Sequence, residues 1–336
     1  MSRLISLLTT LVGLVLLVVL VRRVGVDAVL AGVRQVGWGF LAILLISGLR
    51  ILVRAAAWRL CLEPQDVTAV PLRHAFAAGL CAEAVGSLTP LGLLASEPAK
   101  AAWVRGALPF GRAMAAVAIE NVFYSISVSI MIAAGTIVLL ASFNLPAGVR
   151  EAGQLSLAFI VVVFAALVAA LWLAARRLSI FGALAERLTS GGRAGARVRR
   201  FETRVQDALR ATRGRLLPIG VLEALFHAGG VAEAYVTVWL LNGTAPTLLA
   251  AFVLETANRI VNVVFRFVPL RVGVDEAGSA LMTNVLQMGT ATGVTLAVVR
   301  KARVLCWSAA GIVLMVRRGL HLRTLTRAGV PENGRS

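Results

Sequence analysis

The stretch from Leu155 to Ala175 reads LSLAFIVVVFAALVAALWLAA and contains no charged residue. As a helix it would be about 30 Å long, which is the thickness of the hydrocarbon core of a bilayer. It is apolar around its whole circumference, as expected of a helix surrounded by lipid or by other helices. The stretch therefore predicts a membrane-spanning helix.

The rest of the chain extends this prediction. Of its 336 residues, 59% are hydrophobic and 15% are charged, whereas soluble domains have roughly 45–50% and about 25%. The three cysteines lack metal-ligand spacing, so no disulfide framework, metal site or cofactor is predicted. We predict an all-α polytopic membrane protein with one integral membrane domain over residues 1–336. Five further apolar runs bring the predicted full spans to six: Leu4–Val21, Trp38–Leu62, Ala113–Phe143, Leu216–Leu241 and Val294–Val316.

Two other apolar stretches, 71–104 and 247–288, are interrupted in the middle by proline, glycine and acidic residues. The interruptions read LTPLGLLASEP (88–98) and FVPLRVGVDEA (267–277). Broken backbone at membrane depth is tolerated only where protein or a water-filled cavity surrounds it. We predict that each stretch is a helical hairpin that enters the membrane and turns back. Two short spans per stretch are the alternative, which would give up to ten membrane segments. The predicted turn residues are Pro90, Pro98, Pro269 and Gly273.

The two broken stretches resemble each other. Pro90 and Pro269 are each followed by leucine and, seven residues later, by an acid, Glu97 or Glu276. A charged residue follows about thirty residues after each proline, inside the next span: Glu120 and Arg300. Paired interruptions in two halves are typical of transporters built from inverted repeats, whose site lies between the halves. We predict such a repeat, with halves 1–175 and 216–316.

Positive charge predicts the orientation. Residues 176–215 contain eleven arginines and the tail 317–336 contains five, so both segments and both termini should be cytoplasmic. The segment 22–37 should then face outward, although its three arginines oppose this. Val198, Phe201, Val205 and Leu209 recur at helical spacing within the arginine-rich loop, which favours an amphipathic helix bound to anionic inner-leaflet lipids. A solvated loop is the alternative. Arginines between the spans, which set topology and meet anionic lipid, explain the net charge of +18 without a nucleic-acid partner.

Charged residues inside spans cost about 2.5–3.5 kcal/mol each at the bilayer centre, so they usually serve a function. Arg50 and Arg54 would repel each other on one helix face, which predicts a shared anion, and phosphate suits guanidinium groups. Glu255 and Arg259 are also four residues apart and are predicted to pair. Mutual ion pairing without function is the alternative for all the charges. The predicted substrate-binding or translocation residues are Arg54, Glu97, Lys100, Glu120, Glu276 and Arg300.

The first interruption, SLTPLGLLASEPAK (87–100), resembles the Thr-Pro…Gly-Glu-Pro-x-Arg signature of the lysylphosphatidylglycerol synthase transmembrane-region, or flippase-like, family. The second, VPLRVGVDE (268–276), is similar to its Pro-Gly-Gly-x-Gly-x-x-Glu signature. RAAAWR (54–59) and Arg300 with Gly311 resemble two further elements, in the family's order. Ser96, Lys100 and Leu270-Arg271 depart from the pattern.

The resemblance implies movement of a lipid between leaflets, such as an aminoacylated phosphatidylglycerol or a polyprenyl-linked sugar. It implies no lipid synthesis here, because the aminoacyl-transfer domain of the bifunctional members does not follow in this sequence. We therefore predict a flippase or scramblase of the bacterial cytoplasmic membrane, not an enzyme, that moves a lipid with a phosphate-containing head group. No P-loop is present, so transport would not use ATP hydrolysis of that type, and proton coupling and homo-oligomerisation stay open. The alternatives are an intramembrane transferase acting on a polyprenyl phosphate and an accessory subunit of a lipid or polysaccharide pathway.

Overall fold

A computed structural model of the chain describes residues 26–88, 92–176, 183, 193–265, 271 and 273–318. These residues form an all-helical protein. The first six helices are α1 (Val26–Val36), α2 (Gly39–Leu60), α3 (Leu72–Leu88), α4 (Gly92–Trp103), α5 (Phe110–Ser142) and α6 (Ala147–Ala175). They are followed by α7 (Arg193–Ala211), α8 (Leu216–Asn242), α9 (Leu248–Val264), α10 (Val274–Val285) and α11 (Thr290–Arg317). Four sequence predictions fall outside the described residues: the span Leu4–Val21, the turns at Pro90 and Pro269, and the tail after residue 318.

Four of the described helices are long and apolar enough to cross a membrane: α2, α5, α6 and α8, the last together with a short 3₁₀ turn before it. They coincide with four of the six predicted spans, so the prediction of an integral membrane protein is confirmed. Helix α11 covers the last predicted span and has 28 residues. It is less apolar, because Arg300, Lys301 and Arg303 lie in its middle. The total number of spans stays a prediction.

Both broken stretches form pairs of short helices. Helices α3 and α9 each have 17 residues, and helices α4 and α10 each have 12. At 1.5 Å per residue, the 12-residue helices are about 18 Å long and too short to cross the roughly 30 Å of hydrocarbon. Within each pair the two helices pack against each other. These lengths and contacts agree with the hairpin interpretation.

The interruptions themselves are shorter than predicted. Pro98 lies inside α4 as its seventh residue, so its assignment to the turn was wrong. A proline inside a helix removes one backbone hydrogen bond, which membrane helices tolerate where neighbouring polar groups replace it. The second interruption ends earlier than Ala277, because Gly273 adopts a φ of 85° and α10 begins directly after it. The Glu276 carboxylate accepts a hydrogen bond from the Gly273 N–H at 2.8 Å and stabilises this helix start.

The two hairpins open at opposite ends of the bundle. One apolar cluster joins the open end of the α3–α4 hairpin to the start of α5 and the end of α11 through Val70, Trp103, Ala113 and Met315. A second cluster joins the α9–α10 hairpin to the far end of α5 and the start of α11. It contains Leu139, Val253, Met282 and Leu296. The interrupted ends of both hairpins therefore point towards the middle of the bundle.

The packing of the hairpins against the long helices follows one pattern in both halves. Helix α3 packs against α11, and its counterpart α9 packs against α5. Each crossing depends on a glycine. A Cβ atom at Gly311 would lie 2.3 Å from the carbonyl oxygen of Leu80, and one at Gly135 would lie 1.9 Å from the Thr256 hydroxyl. Leu80 and Thr256 are both the ninth residue of their helix.

The segment predicted to be an amphipathic helix is helix α7. Its last turns pack against the ends of α5 and α6, where Ala208 and Leu209 are buried. The Arg210 guanidinium donates to the Ala175 carbonyl at the end of α6, with N–O 3.3 Å. Val198 and Phe201, nearer the start of α7, are exposed. Helix α7 thus marks one end of the bundle, which we call the arginine-rich end.

Candidate functional site: a charged cavity between the hairpins

A cavity of about 350 Å³ lies between the two hairpins, in the middle of the bundle. Residues from α2, α3, α4, α5, α8, α9, α10 and α11 line it, so nearly every helix of both halves contributes. Four of the predicted site residues line this cavity: Arg54, Glu97, Lys100 and Arg300. The other two, Glu120 and Glu276, lie behind the wall and bind cations that line it. The structure therefore brings all six residues into one region.

Glu120 is the acid of the first charge cluster. It is fully buried on α5, where it accepts hydrogen bonds from Arg54 Nε at 2.8 Å and from Lys100 Nζ at 3.1 Å. Both cations also lie over aromatic rings. The Arg54 guanidinium is 4.1 Å from the ring centre of Tyr124, and the Lys100 ammonium is 4.9 Å from that of Trp58. Such stacking stabilises a cation out of water, so this part of the cavity holds two cations close to one carboxylate.

Two further buried carboxylates hold the arginines on the other side of the cavity. Glu255 pairs with Arg259 at 2.7 Å, which confirms the predicted pair on one helix face. It also binds Arg300 at 3.3 Å, and Arg50 lies 3.7 Å away. Arg50 in turn binds Glu233 at 2.5 Å. Arg303 is the second partner of Glu233, at 2.7 Å.

Arg50 and Arg54 therefore already have carboxylate partners, although they lie on one helix face. Arg50 binds Glu233, and Arg54 binds Glu120. Their proximity alone no longer predicts a shared anion, since helix packing supplies acids that a single helix does not show.

The predicted substrate-binding or translocation residue Glu276 binds a cation that the sequence analysis did not select. Its partner is Lys301, whose side chain is buried beside it on α11. The repeat spacing pointed to the neighbouring Arg300, which binds Glu255 instead. Adjacent residues of a helix point about 100° apart, and only the rotation of α11 decides which of the two faces α10. The signal that could have identified Lys301 is a lysine in the middle of a long helix.

Not every acid of the cavity has a cation partner. In the part of the chain that the structure describes, each Arg and Lys that lines the cavity forms a salt bridge, whereas Glu83 and Glu97 form none. One oxygen of Glu97, Oε2, is buried without a hydrogen bond. Both residues belong to the first hairpin, so the α3–α4 side of the cavity offers carboxylates to a bound group.

A family model described as Lysylphosphatidylglycerol synthase TM region matches residues 4–311. The match covers nearly the whole chain, which therefore belongs to this family, as its motifs indicated. This is a family of membrane domains, in keeping with a lipid-related membrane function. Neither a curated protein nor a solved structure was found to match the chain.

Proposed function

We infer that this member of the lysylphosphatidylglycerol synthase TM-region family moves a lipid with a phosphate-containing head group between the two leaflets, as a carrier and not as an enzyme. The observation that supports this most is the charged cavity in the middle of an apolar bundle. Charged groups within a membrane are costly and usually mark the pathway of a polar substrate. A volume of about 350 Å³ is at the lower end of ligand pockets. It suits a head group, while the acyl chains stay in the bilayer.

The arrangement of the hairpins supports an inverted repeat. Helices α2, α3, α4 and α5 correspond in order to α8, α9, α10 and α11, and exchanging the two sets preserves the main helix contacts. The hairpins open at opposite ends of the bundle, as a two-fold axis in the membrane plane would require. In such proteins, rocking of one half against the other opens a central site to each side in turn. We propose this motion for the head-group cavity.

Two kinds of contact would recognise the head group. Arg54, Lys100 and Arg300 would bind the phosphate, since ionic hydrogen bonds are strongest in a site that excludes water. Glu83 and Glu97 would accept an amine, which favours a zwitterionic or aminoacylated head group. A proton gradient is the energy source that carboxylates lining the cavity allow, because the chain has no P-loop.

Transport in vesicles tests this function. Protein reconstituted without ATP should move a fluorescent phospholipid between leaflets. Alanine at Arg54, Lys100 or Arg300 should each slow it about tenfold, because one ionic hydrogen bond contributes about 1.5–3 kcal/mol. Arg150→Ala, at an exposed position near the start of α6, is the matched control. Unchanged transport after all three cations are replaced together, in protein that elutes as a folded species, would reject the phosphate-binding role. Polyprenyl-linked lipids should be tried if phospholipids fail.

Cysteine labelling tests the orientation. Gly148 and Gly214 have open space around them, so cysteine should be tolerated at both. A membrane-impermeant thiol reagent should label Gly148→Cys from outside the cell and Gly214→Cys only after the membrane is opened. The reverse result would overturn the cytoplasmic placement of the arginine-rich end and of both termini.

We also propose that helix α7 binds anionic lipids of the inner leaflet. Its exposed arginines and the exposed Val198 and Phe201 form the basic and apolar faces of an interfacial helix. Each arginine near an anionic surface contributes about 1 kcal/mol. Arg197→Ala with Arg200→Ala should therefore reduce the anionic lipid that copurifies with the protein, and Arg150→Ala should not.

A further inference from the structure

Glu223 is a buried carboxyl group that the charge clusters leave without a partner. It lies on α8, is 1% exposed, and neither of its carboxylate oxygens forms a hydrogen bond with any described residue. Among the other buried acids that the structure describes, Glu120, Glu233 and Glu255 each contact two or more cations, and Asp66 binds Arg112. A carboxylate without water or a hydrogen bond is strongly disfavoured relative to the carboxylic acid.

The surroundings of Glu223 link it to the first charge cluster. Groups within electrostatic reach come from several helices: Arg54 of α2, Cys61 at the end of α2, Lys100 of α4, Glu120 of α5 and Arg259 of α9. On α8 itself, His227 lies one turn further on, but its Nε2 contacts the Ser127 hydroxyl at 3.0 Å. Arg54 and Lys100 are engaged by Glu120, at 2.8 and 3.1 Å.

We propose that Glu223 is a proton-binding site, protonated at neutral pH and linked to anion binding at Arg54 and Lys100. Glu120, Arg54 and Lys100 together carry one positive charge when Glu223 is protonated. That charge is available to one phosphate. When the proton leaves, Glu223 becomes a second carboxylate for the same two cations and cancels the charge. Proton binding and phosphate binding therefore favour each other, and the linkage is reciprocal.

The position of Glu223 suits this exchange. It lies one helical turn before Phe226, which lines the cavity. Glu223 is thus nearer than Phe226 to the start of α8, which is at the arginine-rich end. Glu223 does not itself line the cavity, so its proton does not occupy the space of the head group. The linkage to a head group rests on the proposed function, whereas the bound proton does not.

Infrared spectroscopy of the purified full chain tests the bound proton directly. The carbonyl stretch of a protonated carboxyl group should be present at neutral pH in the wild type. It should be lost in Glu223→Gln and kept in Glu151→Gln, whose side chain is exposed. If Glu223→Gln does not fold, Glu223→Asp should shift the band. A band that is absent from the wild type, or identical in these Glu223 variants, would overturn the proposal.

Titration with short-chain phosphatidylglycerol in detergent tests the linkage. Above the pH at which the carbonyl band disappears, the affinity of the wild type for phosphatidylglycerol should fall with pH. The fall should be at most about tenfold per pH unit, which is the limit for one linked proton. Glu223→Gln, which mimics the protonated acid, should keep the high affinity over this range. Parallel pH curves for the wild type and Glu223→Gln would overturn the linkage. If no lipid binds or moves while the band depends on Glu223, the lipid-transport function fails and the proton site stands.

Discussion

The two hairpins share one architecture, but the ion pairs that join them to their long helices have opposite polarity. Helices α3–α4 and α9–α10 have the same lengths and corresponding neighbours. In the first half, the hairpin carries the cation Lys100 and the following long helix carries the acid Glu120. In the second half, the hairpin carries the acid Glu276 and the long helix carries the cation Lys301. The ion pairs between hairpin and long helix are thus of reversed polarity: one joins α4 to α5, and two, Glu276–Lys301 and Glu255–Arg300, join the second hairpin to α11.

This difference indicates which features of the two hairpins determine the fold. Helix lengths and close glycine crossings are equivalent in both halves, so they set the shape of the cavity. Each buried charge needs only a partner of opposite sign, so the sign at a given position can differ between the two halves. As a result the cavity is asymmetric, because only the first hairpin presents acids without a salt bridge among the described residues, Glu83 and Glu97. Chemical specificity should therefore depend more on the first half.

The largest effect is expected from breaking the first ion pair. Glu120→Gln would leave Arg54 and Lys100 without their carboxylate in a fully buried site, and removing one partner of a buried pair costs about 3–5 kcal/mol. Glu276→Gln should cost clearly less, since the Glu276 side chain is 23% exposed. Thermal unfolding in detergent measures both, with Glu151→Gln as control. Equal losses would show that the two pairs contribute alike despite their different burial.

The glycine crossings test the equivalence of the halves. Gly311→Ala and Gly135→Ala should each destabilise the protein by about 1–3 kcal/mol, because the added methyl group overlaps a neighbouring helix. Gly311→Ala should be the worse, since it meets the Leu80 backbone carbonyl, whereas the Thr256 side chain at Gly135 can turn away. Gly220→Ala, with open space around it on α8, is the control. If only one of the two glycine substitutions destabilises the protein, the two halves are not packed alike.

Much of this fold could be predicted from the sequence because lipid imposes simple rules. Long apolar runs predicted the helices α2, α5, α6 and α8, and the repeated Pro-Leu spacing indicated the two interruptions. Helix α1 was interpreted only as an outward connection, although residues 26–36 form a helix whose Gly32 packs against Val298 of α11. Its 11 residues are too few to give a span signal, and tertiary packing stabilises it.

The composition of the site could be predicted, but among its ion pairs only Glu255–Arg259, within one helix, was. Charges within apolar runs are visible in a sequence, and the six selected residues all lie in or beside the cavity. Their partners depend on helix rotation and on contacts between distant segments. The Arg50–Glu233 pair joins residues that are 183 positions apart in the sequence. Glu276 binds Lys301 and not Arg300 only because of the rotation of α11, since the two cations are adjacent in the sequence. Glu223 was visible as a charge, but only the structure shows that it lacks a partner.

The smallest effect on stability, and the sharpest on function, is expected at Glu97. Glu97 and Glu276 occupy matching positions after Pro90 and Pro269, but Glu276 binds Lys301 and stabilises the start of α10, whereas Glu97 has no salt bridge within the described chain. Glu97→Gln should change the free energy of unfolding by less than about 0.5 kcal/mol, because no cation loses its partner. It should nevertheless slow transport of an amine-bearing lipid about tenfold, the effect of one lost ionic hydrogen bond. Transport of phosphatidylglycerol, which has no amine, should change little in the same vesicles. Equal slowing of both lipids would show that Glu97 acts on the conformational change and not on the head group.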